Sequence, residues 1–331
     1  MTRLILVTDS SAAGALQKAR VGDLVIAIER RLVSGALPSA AQLEAFFAAR
    51  TTQEPGLHWL DDTPAWRLEG SGAENVGLVD LFARCSSVEL WFDPVPNAQL
   101  MLLWLLDYWR ANAAAAPMLV MRCADTPIGN CEPQRLRKLD LPAVEVSPDH
   151  ANAAHLAWQA YRSPTPGAWF DLLNADLSLL PQLVPCVVEL LEELPAVAAG
   201  LGATEMRMLE LIAPGDVQPS DLFPGHDKPN QRRVFSYWEV GSLLEELARS
   251  PVPAVSGLEE GPFSLEMHAD SSRHERYRKS RLSLTEFGKA VLMKQEDFRR
   301  HNPIQRWWGG TELISERLWR WDAQSRSPIA P

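Results

Sequence analysis

The chain has 331 residues, of which 46% are hydrophobic and 22% are charged, and its formal net charge is −10. This length allows two domains of about 100–200 residues each, and the composition is that of an ordinary globular protein. The longest apolar run, residues 100–106, is too short to cross a bilayer, which takes about 20 residues. The apolar segment at residues 4–7 is shorter than the core of a signal peptide, about 7–15 residues. We therefore expect a cytoplasmic bacterial protein with no membrane partner.

The four cysteines are Cys85, Cys123, Cys131 and Cys186, and no two of them form a C-x-x-C pair. In a chain of this length they do not predict a disulfide framework, so reduced structural thiols are the favoured interpretation. The alternative is a metal-binding loop between Cys123 and Cys131 that includes Asp125. No metal motif and no dinucleotide motif is predicted.

Charge is distributed unevenly along the chain. Residues 151–267 carry 6 basic and 16 acidic side chains, whereas residues 268–331 carry 13 basic and 8 acidic ones. This asymmetry raises the question of an acidic partner for the C-terminal quarter.

Short apolar runs alternate with helical patterns in the first half of the chain. The runs predict strands at residues 4–7, 23–28, 87–92 and 118–121, and the helical patterns cover residues 11–19, 40–50 and 98–109. Strands separated by helices favour a mainly parallel sheet covered on both faces. We therefore expect a Rossmann-like, three-layer α/β domain over residues 1–146.

Helical patterns dominate from Ser147 onward, where Ser147 can cap a helix that has Pro148 at its first position. Further helices are predicted at residues 169–180, 183–194, 204–212 (with Thr204 as N-cap) and 237–248. An extended piece at residues 263–267, a charged loop at 273–281, a strand at 281–284 and a helix opened by Thr285 follow. This order predicts a mostly helical, winged-helix-like domain over residues 147–331, ending in a Trp-rich tail.

Several motifs along the chain resemble those of a bacterial family catalogued as domain of unknown function 1835. They are Asp9-Ser10, Leu90-Trp91-Phe92-Asp93, Gln99-Leu100, Leu179-Leu180-Pro181, Gly200-Leu201-Gly202-Ala203-Thr204-Glu205, Leu284-Thr285-Glu286-Phe287-Gly288, Asn302, Arg306-Trp307-Trp308-Gly309-Gly310 and Trp319-Arg320-Trp321-Asp322. The resemblance spans nearly the whole chain and implies an α/β domain followed by a helical, winged-helix-like region. It implies no known activity.

The chain departs from that family's pattern at two places. Thr8 stands where members typically have glycine, and Glu29-Arg30-Arg31 stands where they usually have an Arg-Asp pair. If that pair contributes to a site, the site is altered or lost in this protein.

Polar residues that follow apolar runs are the candidate ligand-binding residues, because ligands of such sheets bind outside the carboxyl ends of the strands. The candidates also include Trp91 and Gln99 from the motifs, and Arg306 of the tail, whose positive charge could reach an interdomain cleft. The complete set of candidates is Asp9, Ser10, Ser11, Arg30, Trp91, Asp93, Gln99 and Arg306.

Two interpretations of the turn at Asp9, Ser10 and Ser11 stay open. Hydroxyl and N–H groups there could bind a phosphate, and Asp9 with Asp93 could hold a ribose or a metal or act as an acid/base pair. Alternatively, Asp9 or Ser10 only caps the first helix, and Asp93 caps a later one. The turn lacks the P-loop and G-x-G-x-x-G patterns.

Nucleic-acid binding is a weaker hypothesis that depends on the charged loop. Arg276, Arg278 and Lys279 lie where a wing would contact phosphates. The acidic side chains Glu239, Glu245 and Glu246 on the candidate recognition helix argue against DNA.

The sequence thus favours binding, with or without turnover, of a small phosphorylated or nucleotide-like anionic ligand at the strand edge. The alternative is a non-enzymatic regulatory or adaptor protein that uses its winged-helix-like region for protein or nucleic-acid contacts. A third alternative is a degenerate scaffold without a ligand. Catalytic residues, cofactor and oligomeric state are not predicted.

Overall fold

The computed structural model describes residues 2–52, 54–68, 72–73, 75–112, 119–225 and 230–331. The chain divides into two compact units. The first unit comprises Met1–Leu32, Leu37–Arg162 and Asn174–Cys186, and the second comprises Val33–Ala36, Ser163–Leu173 and Val187–Pro331. The predicted domain limits at residues 146 and 147 stay a prediction.

The first unit is a mixed α/β structure. In chain order its elements are β1 (Arg3–Val7), α1 (Ser10–Ala19), β2 (Leu24–Ala27), α2 (Ala40–Phe47), α3 (Ala65–Leu68), α4 (Leu78–Arg84), β3 (Ser87–Phe92), α5 (Pro96–Asn112), β4 (Leu119–Cys123), a 3-10 turn (Ile128–Asn130), α6 (Pro133–Leu136), β5 (Val144–Glu145) and α7 (Pro148–Tyr161).

The five strands form one sheet in the order β2-β1-β3-β4-β5. The first four are parallel, and β5 pairs antiparallel with β4. Successive side chains of a strand face opposite sides of a sheet, and Leu4, Ile5 and Leu6 of β1 are all fully buried. Both faces of the sheet are therefore covered, as expected for parallel strands. The predicted parallel α/β sheet is confirmed, although Met118 of the fourth predicted strand lies outside the described residues.

Helices dominate the remainder of the chain. The elements are α8 (Gly167–Asp171), α9 (Leu183–Leu191), α10 (Ala203–Ile212), α11 (Pro219–Leu222), α12 (Tyr237–Arg249), β6 (Val255–Ser256), α13 (Leu265–Ala269), α14 (Ser271–Lys279), β7 (Ser283–Leu284), α15 (Glu286–Leu292), α16 (Phe298–His301), β8 (Gln305–Trp308), β9 (Thr311–Ile314), β10 (Arg320–Asp322) and β11 (Ser327–Ile329). The strands of the second unit pair antiparallel, β6 with β7, β8 with β9 and β10 with β11.

The core of the second unit lies between α10 and α12. Met208 and Leu209 of α10 pack with Leu244 and Leu247 of α12 in one buried cluster, which also takes in Phe298 of α16. These apolar positions recur at helical spacing, which is why the sequence predicts both helices.

Four local predictions for this region are wrong. Residues 263–267 are not extended, because α13 begins at Leu265 under an N-cap from Ser264. Residues 273–281 are not a wing loop, because most of them belong to α14, which Asp270 caps. The helix predicted over residues 169–180 ends at Asp171 and continues only as a 3-10 turn. Finally, the N-cap of α10 is Gly202, one residue before the helix, rather than Thr204.

Within the described residues, no helix has both the length and the apolar composition that crossing a bilayer requires.

Candidate functional site

The order of the sheet reverses between β1 and β3, where β1 leads to β2 on one side and β3 leads to β4 on the other. In open α/β sheets, ligands bind at such a point, outside the carboxyl ends of the strands. Asp9 follows β1 and Asp93 follows β3. The topology therefore places both predicted carboxylates at the edge where a ligand would bind.

Carboxylates already occupy the N-terminus of α1. Asp9 is the N-cap, and its Oδ1 atom accepts a hydrogen bond from the Ala12 amide at 2.8 Å. The Ser10 amide donates to a carboxylate oxygen of Glu29, which follows β2, and the Ala13 amide donates to the Asp9 carbonyl oxygen. The first amides of the helix are thus satisfied by this chain, so an anion would have to displace Asp9 or Glu29 to reach them.

Several carboxyl groups also lie close together at this edge. Burial raises the pKa of the Asp9 carboxyl above its usual value, and Glu29 adds to the shift, although hydrogen bonds from the Ala12 and Ser11 amides oppose it. Burial likewise raises the pKa of Asp62, again with a contribution from Glu29. The carboxyl groups gathered here disfavour a highly charged anion directly on the axis of α1, because like charges repel.

The 3-10 turn after β4 contacts both predicted carboxylates. The Ile128 amide donates to Asp93 Oδ2 at 3.2 Å, while Asp93 Oδ1 accepts from the Val95 amide at 3.1 Å. A Cβ atom at Gly129 would lie 3.1 Å from Asp9 Oδ1 and 3.0 Å from the Ser11 Cβ atom. Glycine is therefore the residue that lets this turn approach the start of α1.

Gln99 joins the ends of two neighbouring strands. Its amide nitrogen donates to the Asp93 carbonyl oxygen at 2.7 Å and to Gln182 Oε1 at 2.9 Å. Gln182 in turn donates to the Ala124 carbonyl oxygen at 2.7 Å. Gln99 is almost fully buried, and through these hydrogen bonds it links the carboxyl ends of β3 and β4.

Trp91 is buried in the sheet, and its indole N–H donates to Glu89 Oε2 at 2.8 Å. Glu89 also receives guanidinium hydrogen bonds from Arg3 and Arg122. Burial opposes ionisation of Glu89, but these three donors outweigh it and lower its pKa. The sequence signal for this buried charge network was a glutamate in the middle of an apolar strand.

Arg30 lies after β2 and is already engaged. Its guanidinium donates to the Gly56 carbonyl oxygen at 2.6 Å and lies 5.2 Å from the centroid of the Phe46 ring. The sequence reasoning missed Asn97, which fixes this segment by accepting from the Leu32 amide and donating to the Arg30 carbonyl oxygen, each at 2.8 Å.

A groove of about 470 Å³ runs beside the exposed hydroxyls of Ser10 and Ser11. The α1 residues Gly14, Ala15 and Lys18 form one side of it. The opposite side is the turn after β4 with the start of α6, namely Gly129, Asn130, Cys131, Glu132 and Pro133. Two of the predicted ligand-binding residues, Ser10 and Ser11, line this groove.

Arg306 belongs to the second unit and is held there by two carboxylates. Its Nη2 atom lies 2.9 Å from Glu205 Oε1 and 2.5 Å from Glu246 Oε2. Burial alone would lower the pKa of Arg306, but the two carboxylates outweigh it and raise the pKa. Its observed role is therefore that of an internal counter-charge.

The basic residues predicted for a wing lie on α14. Arg276 pairs with Glu260, and Lys279 pairs with Glu275 at 2.7 Å. Arg278 is close enough to Glu275 to help lower the pKa of that carboxyl. The positive charge of this segment is thus partly offset by its own acidic neighbours.

Within the part of the chain that the structure describes, no three His, Cys, Asp or Glu side chains are arranged to hold a metal ion. The four cysteines are free thiols, and Cys186 is the buried one. No family model and no curated protein matches this sequence. The family resemblance therefore still depends on the quoted motifs.

The buried position of Asp9 has a pH-dependent consequence. Because its pKa is raised in the folded state, the folded protein loses stability relative to the unfolded chain as pH rises from 3.8 through the folded pKa. Asparagine keeps the capping oxygen and does not ionise. We therefore expect the Tm of Asp9→Asn, relative to wild type, to increase between about pH 4 and pH 7.

This difference is measurable by scanning calorimetry at several pH values. Asp149→Asn, which removes one exposed carboxylate from the first turn of α7, is the control for loss of a negative charge. A Tm difference for Asp9→Asn that stays constant or shrinks as pH rises would contradict the prediction.

Proposed function

We propose that the first unit binds a small phosphorylated or nucleotide-like ligand in the groove beside Ser10 and Ser11. The observation that supports this most directly is the lining of that groove, which includes Ser10 and Ser11 at the carboxyl edge of the sheet, Asn130 of the turn after β4 and, about two turns further along α1, Lys18. Its volume of about 470 Å³ lies within the range of small-molecule sites, about 300–1,000 Å³.

The spacing along α1 supports a side-chain site rather than a helix N-terminus. Ser11, Ala15 and Lys18 are four and three residues apart, so they share one face of the helix. The small residues Gly14 and Ala15 leave that face open between the hydroxyl and the ammonium group. Since Asp9 and Glu29 occupy the first amides, the phosphate would be held at Lys18, about two turns from them.

A titration of the full chain with a panel of nucleotides and sugar phosphates tests this proposal. We expect at least one compound to raise the Tm, with a Kd that Lys18→Ala weakens by about tenfold, the usual scale for one charge-assisted hydrogen bond. Lys138→Ala, an exposed lysine of the same unit outside the groove, is the matched control. The proposal would be contradicted if no compound raised the Tm, or if Lys18→Ala bound the compound with the same Kd as wild type.

The motifs quoted above also lead us to infer that the chain is a member of the family with domain of unknown function 1835. The order α10, α11, α12, β6 and β7 fits the winged-helix-like region that this family implies. In that interpretation α13 and α14 replace the wing.

A regulatory or adaptor role for the second unit is the second candidate, and exposed aromatic residues favour it. Tyr237 and Trp238 at the start of α12 are 39% and 40% exposed, and Leu265 of α13 is 70% exposed. The Tyr237 and Trp238 ring centroids are 5.6 Å apart, and adjacent exposed aromatic side chains favour a protein partner. Salt-dependent retention of the chain on duplex DNA, lost when Arg276, Arg278 and Lys279 become alanine, would instead favour nucleic acid.

A further inference from the structure

The second unit contains a cavity of about 660 Å³ that none of the predicted site residues lines. Its walls are the loop of residues 196–201, one side of α10 and the turn after β10. The volume again lies in the range of small-molecule sites, about 300–1,000 Å³.

The walls of this cavity are fixed by backbone hydrogen bonds. The Val197 amide donates to the Trp321 carbonyl oxygen at 2.9 Å, and the Trp321 amide donates to the Pro195 carbonyl oxygen at 3.0 Å. The far end of the loop is held by the Phe298 amide, which donates to the Ala199 carbonyl oxygen at 2.9 Å. A ligand would therefore enter a preformed site and would not have to order the loop.

The lining combines a broad apolar surface with one large ring. Small side chains leave the space open, and a half-buried methionine and a mostly buried tryptophan are also among the lining residues. These residues are Ala196, Val197, Ala198, Ala199, Leu201, Ala203, Met206 and Trp321. Such a lining fits a flat apolar or aromatic group.

Most of the charges around the cavity already have partners. Arg207 pairs with Glu210 at 2.8 Å, and Arg232 pairs with Glu192 at 3.0 Å. The carboxylate of Asp322 accepts from the Gln324 amide and the Ser325 hydroxyl of its own turn.

Lys294 is different. It is exposed, it lines the cavity, and its backbone has a left-handed φ of 59°. Among the described residues its ammonium group has neither an ion pair nor a hydrogen bond. Among the described residues of the lining, Lys294 is therefore the cation that has no carboxylate partner, and it lies beside an apolar surface.

We propose that this cavity binds a small aromatic carboxylate, with its ring against the alanines and Trp321 and its carboxylate at Lys294. A monoanion is favoured over a phosphate dianion, because only one cation is uncompensated and three carboxylates also line the cavity. This site lies wholly within the second unit, and it does not depend on the groove beside Ser10.

Calorimetric titration of the full chain with 2-naphthoate, and with its uncharged analogue 2-naphthamide, tests the charge requirement. We expect 2-naphthoate to bind one to one and 2-naphthamide to bind about tenfold more weakly. We expect Lys294→Met to weaken 2-naphthoate by a similar factor. Lys289→Met, which removes another exposed lysine of the same unit, and Lys18→Ala should leave the Kd unchanged.

A second variant tests the apolar surface. Ala203→Phe places a ring in the cavity from a half-buried position on α10, and we expect it to abolish 2-naphthoate binding. Binding of 2-naphthoate and 2-naphthamide with equal Kd, an unchanged Kd for Lys294→Met, or no saturable binding up to about 1 mM would each overturn the proposal. The Lys294 comparison stands even if Ala203→Phe impairs folding.

Discussion

Replacement of Glu205 by leucine is expected to lower the free energy of unfolding of the second unit by about 3–5 kcal/mol. Glu205 is 1% exposed, and its Oε1 atom accepts from Arg299 at 3.0 Å and from Arg306 at 2.9 Å. Its Oε2 atom accepts from the Gly202 amide at 2.8 Å. Leucine would leave the buried Arg299 guanidinium short of counter-charge and an amide at the start of α10 without an acceptor.

Glu210→Leu is the matched control, because it makes the same change on the same helix at a half-exposed position. The Glu210 side chain is 50% exposed, and its pair with Arg207 is expected to contribute about 0–1 kcal/mol. Urea denaturation followed by tryptophan fluorescence measures both free energies. Equal losses for Glu205→Leu and Glu210→Leu would show that the buried network does not stabilise the unit.

Removing both charges of one pair should cost less than the two single changes predict. In Glu205→Leu/Arg299→Met, the pair between Glu246 and Arg306 remains, and no buried arginine lacks its carboxylate. We expect a coupling free energy of about 0.5–3 kcal/mol between the two substitutions. Strictly additive losses would contradict a shared network.

The sequence predicted the parallel sheet well because its signal is local. Buried parallel strands are continuous apolar runs, and Leu4 to Val7 or Val88 to Phe92 cannot be taken for surface segments. The buried helix α5 shows the same kind of signal, since every residue from Pro96 to Leu106 is buried and together they cover its whole circumference. The apolar composition of these segments is enough to predict both as buried elements.

The elements that the sequence missed are polar or short. Tyr277 is the one buried residue of α14, so that helix has no apolar stripe for periodicity to detect. It is stabilised instead by its Asp270 cap and by the pair between Glu275 and Lys279. The tail strands β8–β11 are three or four residues long, which is too short to establish an alternation.

The candidate site was predictable in part. Asp9 as a helix cap follows from local sequence, and its place at the edge follows from a parallel sheet. Two other features depend on the order of strands across the sheet, which the sequence does not give. They are the hydrogen bond from the Ser10 amide to Glu29 and the close approach of Gly129 to Asp9. The partners of Arg306 were hidden for the same reason, because Glu205 and Glu246 are 101 and 60 residues away.

Gly288→Ala is expected to destabilise the second unit by about 3 kcal/mol, although alanine normally stabilises a helix relative to glycine by roughly 0.5–1 kcal/mol. A Cβ atom at Gly288 would lie 2.0 Å from the Ala254 carbonyl oxygen. The helix cannot easily retreat, since the Thr285 amide donates to that same oxygen at 3.0 Å and its hydroxyl donates to the Pro253 carbonyl oxygen at 2.7 Å. Relief of the clash would break the contacts that position α15.

Gly14→Ala separates this effect from helix propensity. Gly14 lies in the middle of α1, and the nearest atom to its added Cβ would be an Arg67 side-chain nitrogen at 3.6 Å, an ordinary contact. We therefore expect opposite signs in urea denaturation: Gly14→Ala gains up to about 1 kcal/mol, whereas Gly288→Ala loses stability. If both substitutions stabilised the chain, α15 could not pass as close to the Ala254 backbone as the structure requires. The glycine of the Leu284–Gly288 motif would then need an explanation other than this close approach.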